Sequence, residues 1–314
     1  MIQLDADTLK RQLPYPALVE QLRAAFAAGW TAPQRTRHTL ETTDGSNATL
    51  LLMPAWRQDG FIGVKIVNVF PGNARRGMAS VSSVYILNDA TTGQVLSVMD
   101  GECLTARRTA AASALAASFL ARRDSRHLLI VGAGRIAAEL PAAHAAVRPI
   151  DRVTVWNRTF SKAQEIAGLA ADQGFAAEAT RDLQSAVAAA DIISCATLST
   201  EPLIRGAWLR PGVHLDLIGS FKPEMREVDD EAITRSLVAV DCHASALSEA
   251  GDLVQPLAAG IIGREHVVAD LYALCQGRHP GRGHEEQITL FKSVGHAIED
   301  LAAAALAYQS SSAL

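Results

Sequence analysis

The stretch His127-Leu128-Leu129-Ile130-Val131-Gly132-Ala133-Gly134-Arg135-Ile136-Ala137 decides how the middle of this chain folds. Leu128–Val131 is a continuous apolar run of the length of a buried strand. It runs into the pattern G-x-G-x-x-A. The first glycine permits a tight turn, the second lets a phosphate approach the backbone, and the small sixth residue lets the next helix pack against the strand. That helix, read through about Val147, offers unpaired N–H groups and the positive end of its dipole to an anion.

Downstream, strands and helices alternate. Strands are predicted at Val153–Trp156, Ala176–Ala179, Ile192–Ala196, His214–Ile218 and Leu237–Val240, with helices from Ser161 and from Asp182. Such alternation predicts an α/β fold with a doubly wound, Rossmann-type parallel sheet over residues 123–295. A glycine turn between a strand and a helix, with a second strand about twenty residues on, reads as a dinucleotide site. The second strand ends in Trp156-Asn157-Arg158-Thr159, without the carboxylate that would take the ribose 2′-hydroxyl of NAD. A guanidinium and a hydroxyl there suit a 2′-phosphate, so NADP(H) is the expected cofactor and NAD(H) the alternative. A surface arginine without a ligand is the plain reading of Arg158. Cofactor contacts are expected from Gly132, Ala133, Gly134, Arg135, Ile136, Asn157, Arg158, Thr159, Ala196 and Thr197.

Upstream the texture differs. The first thirty or so residues read as helix, with Leu18, Leu22 and Phe26 on one stripe. Between Thr39 and Asp100, β-rich runs (Ala48–Met53, Ile62–Phe70, Ser80–Leu87, Val95–Met99) are separated by turn signals such as Asp59-Gly60, Pro71-Gly72-Asn73 and Thr92-Gly93. Strands without helices between them predict a mainly antiparallel sheet. Alanine-rich helices follow at about Thr105–Leu120 and, at the far end, Val294–Tyr308; their small side chains let another backbone come close, inside the protein or along a subunit interface. A second, α+β unit, distinct from the parallel sheet, is therefore expected.

Composition narrows the function classes. The 314 residues suffice for two domains, and 49% hydrophobic with 20% charged residues is an ordinary globular mixture. A formal net charge of −4 provides no field to gather a polyanion, which argues against nucleic acid. Asp5, Asp7, Lys10 and Arg11 interrupt any signal-peptide core, and Thr109–Ala121 falls short of the roughly 18–20 apolar residues a membrane span needs. A cytoplasmic protein without a membrane partner is expected. Cys103, Cys195, Cys242 and Cys275 form no CxxC pair and have no histidine at zinc-ligand spacing, so reduced thiols and no metal are expected.

Several motifs occur in a telling order: Met53-Pro54-Ala55, Val64-Lys65-Ile66-Val67, Asp100-Gly101, Leu104-Thr105-Ala106-Arg107-Arg108-Thr109-Ala110-Ala111, the glycine turn, and Phe291-Lys292-Ser293-Val294-Gly295. Together they resemble the ornithine cyclodeaminase/μ-crystallin family from about Pro33 to Ala304. That family includes ornithine cyclodeaminases, alanine dehydrogenase-like enzymes, reductases of cyclic ketimines and the ligand-binding μ-crystallin. The resemblance implies a Rossmann domain joined to a substrate-binding and dimerisation domain over 1–122 and 296–314, completed by a returning carboxy-terminal helix, in a homodimer. It also implies that Arg35, Lys65 and Arg108 form the substrate site. Arginine offers a planar fork to a carboxylate, and lysine can give or take a proton if burial lowers its pKa. A solvent-facing edge lysine is the alternative for Lys65. Of the adjacent Arg107 and Arg108, only one can face the site, and the resemblance selects Arg108. Ser80, usually threonine in the family, and the Val294-Gly295 segment are implied cofactor contacts.

Two departures bear on activity. Ile136 stands where the family usually has glutamine. The loop Gly219-Ser220-Phe221-Lys222-Pro223-Glu224-Met225-Arg226-Glu227 lacks the aspartate of the cyclodeaminase pattern Gly-x-Asp-x-Pro-Gly-Lys and looks like the loop of the ketimine reductase branch. The expected activity is therefore NAD(P)H-dependent reduction of a small cyclic ketimine carboxylate, Δ1-pyrroline-2-carboxylate or Δ1-piperideine-2-carboxylate, to L-proline or L-pipecolate. The alternatives are an ornithine cyclodeaminase, an enzyme acting on a linear 2-oxo acid, and a non-catalytic NADPH- or ligand-binding protein. Three costly basic groups kept together argue against the last.

Overall fold

The structure is a computed structural model that describes every residue except Asp44, Ser46, Ala313 and Leu314, so the end of the expected 296–314 segment lies outside the described residues. Two compact units are present, Met1–Arg108 with His296–Leu314, and Thr109–Gly295. The division falls inside the helix Gly101–Leu120, upstream of the boundary expected at residue 122. An unbroken helix carries no turn residue at that point, so nothing in the local sequence marks it.

Unit 1 is built on six strands: β1 (Ile2–Leu4), β2 (Thr36–Glu41), β3 (Asn47–Trp56), β4 (Phe61–Val69), β5 (Val81–Asp89) and β6 (Val95–Asp100). Their order is β1-β6-β5-β4-β3-β2, antiparallel from β2 through β6, with β1 parallel to β6. The amino terminus corrects the single-helix expectation. It holds β1, then a helix Ala6–Gln12, then a second helix Tyr15–Ala28. Pro14, which has no N–H to give to a preceding turn, separates the two helices. Leu18, Leu22 and Phe26 are fully buried, as their stripe requires. β2 escapes a reading by alternation because all six of its residues are exposed.

Cross-strand register puts Leu4, Met99, Tyr85, Lys65 and Met53 in one line across the sheet, all on one face and all buried. The carboxy-terminal helix Ala297–Ser312 packs on this face. Its Tyr308 meets Phe61 of β4 edge-on at 5.9 Å. Pro54, Val64, Ile86 and Val98 form a line on the opposite face, with Leu52, Ile66 and Val84 in the next, all half-exposed.

Unit 2 holds eight parallel strands: β7 (His127–Val131), β8 (Arg152–Trp156), β9 (Ala176–Thr180), β10 (Ile192–Cys195), β11 (His214–Leu217), β12 (Leu237–Val240), β13 (Val267–Asp270) and β14 (Thr289–Lys292). The order β13-β12-β14-β11-β10-β7-β8-β9 reverses direction between β7 and β10. That switch point is where open α/β sheets bind ligands, outside the carboxyl ends of the strands. β13 and β14 go beyond the predicted strands. β14 slots between β11 and β12, and its last residue is the lysine of the Phe291-Lys292-Ser293-Val294-Gly295 motif. The core is continuous, with Leu129, Val131, Ile193, Leu215, Val238 and Leu290 fully buried.

Among the described residues no helix is long and apolar enough to cross a membrane, no group of histidine, cysteine and acidic side chains is placed to hold a metal ion, and no cysteine is in a disulfide.

Candidate active site

Lys65 lies in the interior of β4, flanked by β3 and β5, with its side chain buried. The edge-strand reading is thereby excluded. An ammonium taken out of water costs several kcal/mol unless it is paired, and here it is paired. Its Nζ lies 2.9 Å from each carboxylate oxygen of Asp300 and 3.3 Å from Thr105 Oγ1. Burial, with the nearby Arg108 cation, pushes the lysine down to about 8, against the opposing pull of Asp300.

Arg108 reaches the same acid from the helix Gly101–Leu120. Its Nε donates to Asp300 Oδ1 at 2.8 Å and its Nη1 to Glu299 Oε2 at 2.6 Å. Both carboxylates are fully buried. Burial alone would depress the guanidinium, but Asp300 and Glu299 outweigh it and hold Arg108 above its ordinary value. The reciprocal holds for Asp300, which burial would raise and which Arg108 and Lys65 keep below the usual carboxylate range. Two cations and two anions thus balance inside unit 1 (Lys65, Arg108, Glu299 and Asp300). Arg108 Nη2 makes no hydrogen bond among the described residues, which leaves a donor to the quartet.

The neighbouring arginine does different work. Arg107 donates through Nε to the carbonyl of Leu13 at 3.2 Å and stacks on Tyr15 at 4.4 Å, closing the break between the first two helices. Successive helix positions point about 100° apart, so one arginine holds the fold and the other faces the acids. Arg35 is half-buried one residue before β2. It belongs to the segment between the bridge Thr31–Trp56 and the first β2 pair, Thr36–Leu52, and so runs alongside β3, the neighbour of the strand that carries Lys65. Lys65 and Arg108 are brought together on Asp300, whereas Arg35 lies in the segment that leads into β2. Ser80, just before β5, is half-buried, and its carbonyl accepts from Phe70 N at 2.7 Å.

In unit 2 the glycine turn has the geometry its sequence calls for. Gly132 has φ of +117°, and a Cβ there would lie 2.6 Å from the carbonyl oxygen of Ala196. Only glycine fits. Gly134 caps the helix Arg135–Ala145 without a side-chain bond, and a Cβ added to it would meet nothing within 4 Å. A helix start without a side-chain cap, beneath open space, fits a dinucleotide pyrophosphate. Ala137, the small sixth residue, is fully buried against the sheet, while Ala133 and Ile136 are half-buried and Arg135 is exposed. At the end of β8, Asn157 Nδ2 donates to the carbonyl of Thr159 at 2.9 Å, and Arg158 and Thr159 are exposed.

The loops after later strands are held by buried acids that the sequence reading did not single out. Glu227 Oε1 accepts from Thr197 N and Oγ1, both at 2.8 Å, while its Oε2 accepts from Gly219 N at 2.9 Å. One carboxylate therefore ties the loop after β10, with Ala196 and Thr197, to the loop after β11. Asp241 Oδ2 accepts from Val294 N and Gly295 N, each at 2.7 Å, and shapes the turn after β14. These acids escape a local reading because their partners lie 30 and 53 residues away. The same is true of Asp300, 235 residues from Lys65; the only signal was an acidic pair in an otherwise alanine-rich helix.

A glycine turn at the switch point of a parallel sheet in one unit, and a buried charge quartet in the other, define a two-unit dinucleotide-binding α/β protein. The chain belongs to the ornithine cyclodeaminase/mu-crystallin family, whose pattern matches residues 3–313. Delta(1)-pyrroline-2-carboxylate reductase of Paracoccus denitrificans is 44% identical over 258 residues, 81% of this chain and 80% of the relative. Ketimine reductase mu-crystallin of Mus musculus is 34% identical over 272 residues, 82% and 83% of the two chains. The structure of Thermococcus litoralis Delta(1)-pyrroline-2-carboxylate reductase, in complex with NADH and L-proline, superposes with a TM-score of 0.92 at 33% identity, covering 100% of this chain and 98% of that one.

Proposed function

We propose that this protein is an NAD(P)H-dependent reductase of a small cyclic ketimine carboxylate, converting Δ1-pyrroline-2-carboxylate or Δ1-piperideine-2-carboxylate to L-proline or L-pipecolate. The observation that carries the reading is the buried Lys65–Asp300–Arg108–Glu299 quartet. The relatives named as reductases, and the L-proline and NADH bound to the Thermococcus litoralis enzyme, support it.

A reduced nicotinamide, held through the glycine turn, supplies the hydride. The chain's own residues supply the rest. Arg108, fixed on two sides by acids, presents its remaining donor to the substrate carboxylate, and Arg35 contributes a second guanidinium from the segment before β2. Lys65, with a pKa brought down to about 8, is mostly protonated at neutral pH yet gives up its proton readily, which suits a donor to the ring nitrogen. Asp300 holds that ammonium in place. Orientation and a poised proton are the protein's contributions.

Gly132, Ala133, Gly134, Arg135 and Ile136 receive the pyrophosphate. Asn157, Arg158 and Thr159 receive the adenosine ribose and favour NADP(H) over NAD(H). Ser80, Ala196, Thr197, Val294 and Gly295 complete the cofactor contacts. Since Thr197, Val294 and Gly295 give their N–H groups to buried acids, they act there by shape and by other atoms. Phe221, exposed after β11, stands where the cyclodeaminase pattern has its aspartate, so the acid that would assist ammonia loss is missing.

The protein acts in the cytoplasm as a homodimer joined through the half-exposed apolar face of the unit 1 sheet, where Pro54, Val64, Ile86 and Val98 lie in line. Ile66→Glu on that face is expected to give a monomer in sedimentation; an unchanged mass would remove the face from the interface.

Two parallel reactions test the activity. NADPH with Δ1-pyrroline-2-carboxylate is expected to show rapid loss of dinucleotide absorbance, and NAD with L-ornithine to release no ammonia. Ammonia from ornithine without net NADH would replace the reading with a cyclodeaminase. No turnover in either, with dinucleotide still bound, would replace it with a binding protein.

A further inference from the structure

We propose that Arg181, held over the ring of Phe160, joins Arg158 in a two-arginine site for the 2′-phosphate of the dinucleotide, and that this pair sets the preference for NADPH. The inference rests on the dinucleotide reading of unit 2 and adds a residue that the glycine fingerprint and the end of β8 do not contain.

β8 and β9 run side by side, and their last residues, Trp156 and Thr180, are paired. The chain segments that leave them therefore start from neighbouring points on the carboxyl edge of the sheet. One carries Asn157-Arg158-Thr159-Phe160 and the other begins with Arg181. The Arg181 guanidinium carbon lies 3.9 Å from the centre of the Phe160 ring, so it meets the segment that follows β8, two residues after Arg158. Neither Arg158 nor Arg181 makes a hydrogen bond or ion pair among the described residues. The acids that might neutralise them are committed elsewhere. Asp182 accepts from Ser185 N at 3.0 Å and caps its own helix, and Glu178 is bound to Arg152 at 2.7 Å, near the other end of β8.

Two uncompensated guanidinium groups on adjacent strand ends match a phosphate monoester, which carries close to two negative charges at pH 7. The contact with the ring restrains Arg181 while its N–H groups make no hydrogen bond among the described residues, so little ordering is lost when the phosphate arrives. The helix Phe160–Asp172, which follows Arg158 directly, starts at Thr159 with no side-chain bond to its cap. A non-phosphorylated ribose would gain nothing from either charge. The device therefore discriminates between the two dinucleotides.

The test measures binding by calorimetry on the intact protein, with adenosine 2′-monophosphate, NADPH and NADH as probes. In the wild type, NADPH is expected to bind at least tenfold more tightly than NADH. Arg181→Ala and Arg158→Ala are each expected to weaken NADPH and adenosine 2′-monophosphate by about tenfold to a hundredfold, the range for hydrogen bonds to charged groups, with NADH changed at most twofold. Phe160→Leu, which keeps the helix and removes the stack, is expected to cost NADPH about two- to fivefold. Equal losses of NADPH and NADH in Arg181→Ala would assign it to the adenine and overturn the proposal. An unchanged NADPH affinity would overturn it as well. If the wild type binds neither dinucleotide, the cofactor reading itself fails; if it binds both alike, only the phosphate site does. The exposed positions of both arginines keep the fold out of the comparison, and thermal melts of each variant check that.

Discussion

Lys65 and Asp300 are 235 residues apart in the chain and 2.9 Å apart in space, whereas the glycine turn of unit 2 is assembled from consecutive residues. The first site is made of side chains, charged and buried, each of which needs its partner to be tolerable. The second is made of backbone: a glycine at φ +117°, a helix start without a side-chain cap, and space above it. The contrast has consequences. A site of mutually paired charges couples chemistry to stability, because removing one member strands the others in a low-dielectric interior. A site of backbone amides couples ligand binding to one local conformation and leaves the surrounding fold largely indifferent.

The largest effect separating the two is expected from Lys65→Ala. Ketimine reduction should fall by about 10²–10⁴-fold, the usual weight of a positioned proton donor, while dinucleotide affinity measured by fluorescence stays within twofold. A parallel loss of dinucleotide binding would break the division of labour between the units.

Asp300→Asn comes next. Breaking a buried pair costs about 3–5 kcal/mol, so its melting temperature should drop by several degrees or more, with activity falling alongside. Replacing Lys65, Arg108, Glu299 and Asp300 together with apolar residues of similar volume should restore much of that stability and none of the activity. If Asp300→Asn melts like the wild type, the quartet is not the linked charge set described here.

Gly132→Ala should act on the other region alone. A methyl group 2.6 Å from the Ala196 carbonyl forces the turn to shift, and dinucleotide affinity should fall at least tenfold, as a residue barred from positive φ distorts the pyrophosphate cradle. The melting temperature should change less than in Asp300→Asn. The reverse ranking would mean that the turn carries more of the fold than its backbone character implies.

Legibility in the sequence follows the same contrast. The parallel sheet declares itself through runs such as Leu128–Val131 and Val153–Trp156, each bounded by turn residues and each a local signal. The antiparallel strands are nearly as plain. What the sequence hides is whatever depends on partners far along the chain. β14 is a four-residue insertion between β11 and β12 that no periodicity reveals, and β2 has no buried face to alternate. In the site, Lys65 and Arg108 could be named through motifs. Their counter-ions Glu299 and Asp300 could not, since nothing local distinguishes a buried acid from an exposed one on an alanine-rich helix. The neighbours Arg107 and Arg108 differ by one helix step and by their whole surroundings, and only the fold separates Leu13 and Tyr15 from Asp300.

The most direct test of the account is the pH dependence of kcat for reduction of Δ1-pyrroline-2-carboxylate. Lys65 is depressed to about 8 by burial and by Arg108, with Asp300 holding it up. The proposed mechanism uses the protonated form in reduction, so kcat should be level at neutral pH and fall as pH rises through about 8. Asp300→Asn, having lost the anion that supports the ammonium, should move the inflection to lower pH. A profile that stays flat through pH 8–9, or an inflection that persists unchanged in the residual activity of Lys65→Ala, would contradict the assignment of the proton to Lys65.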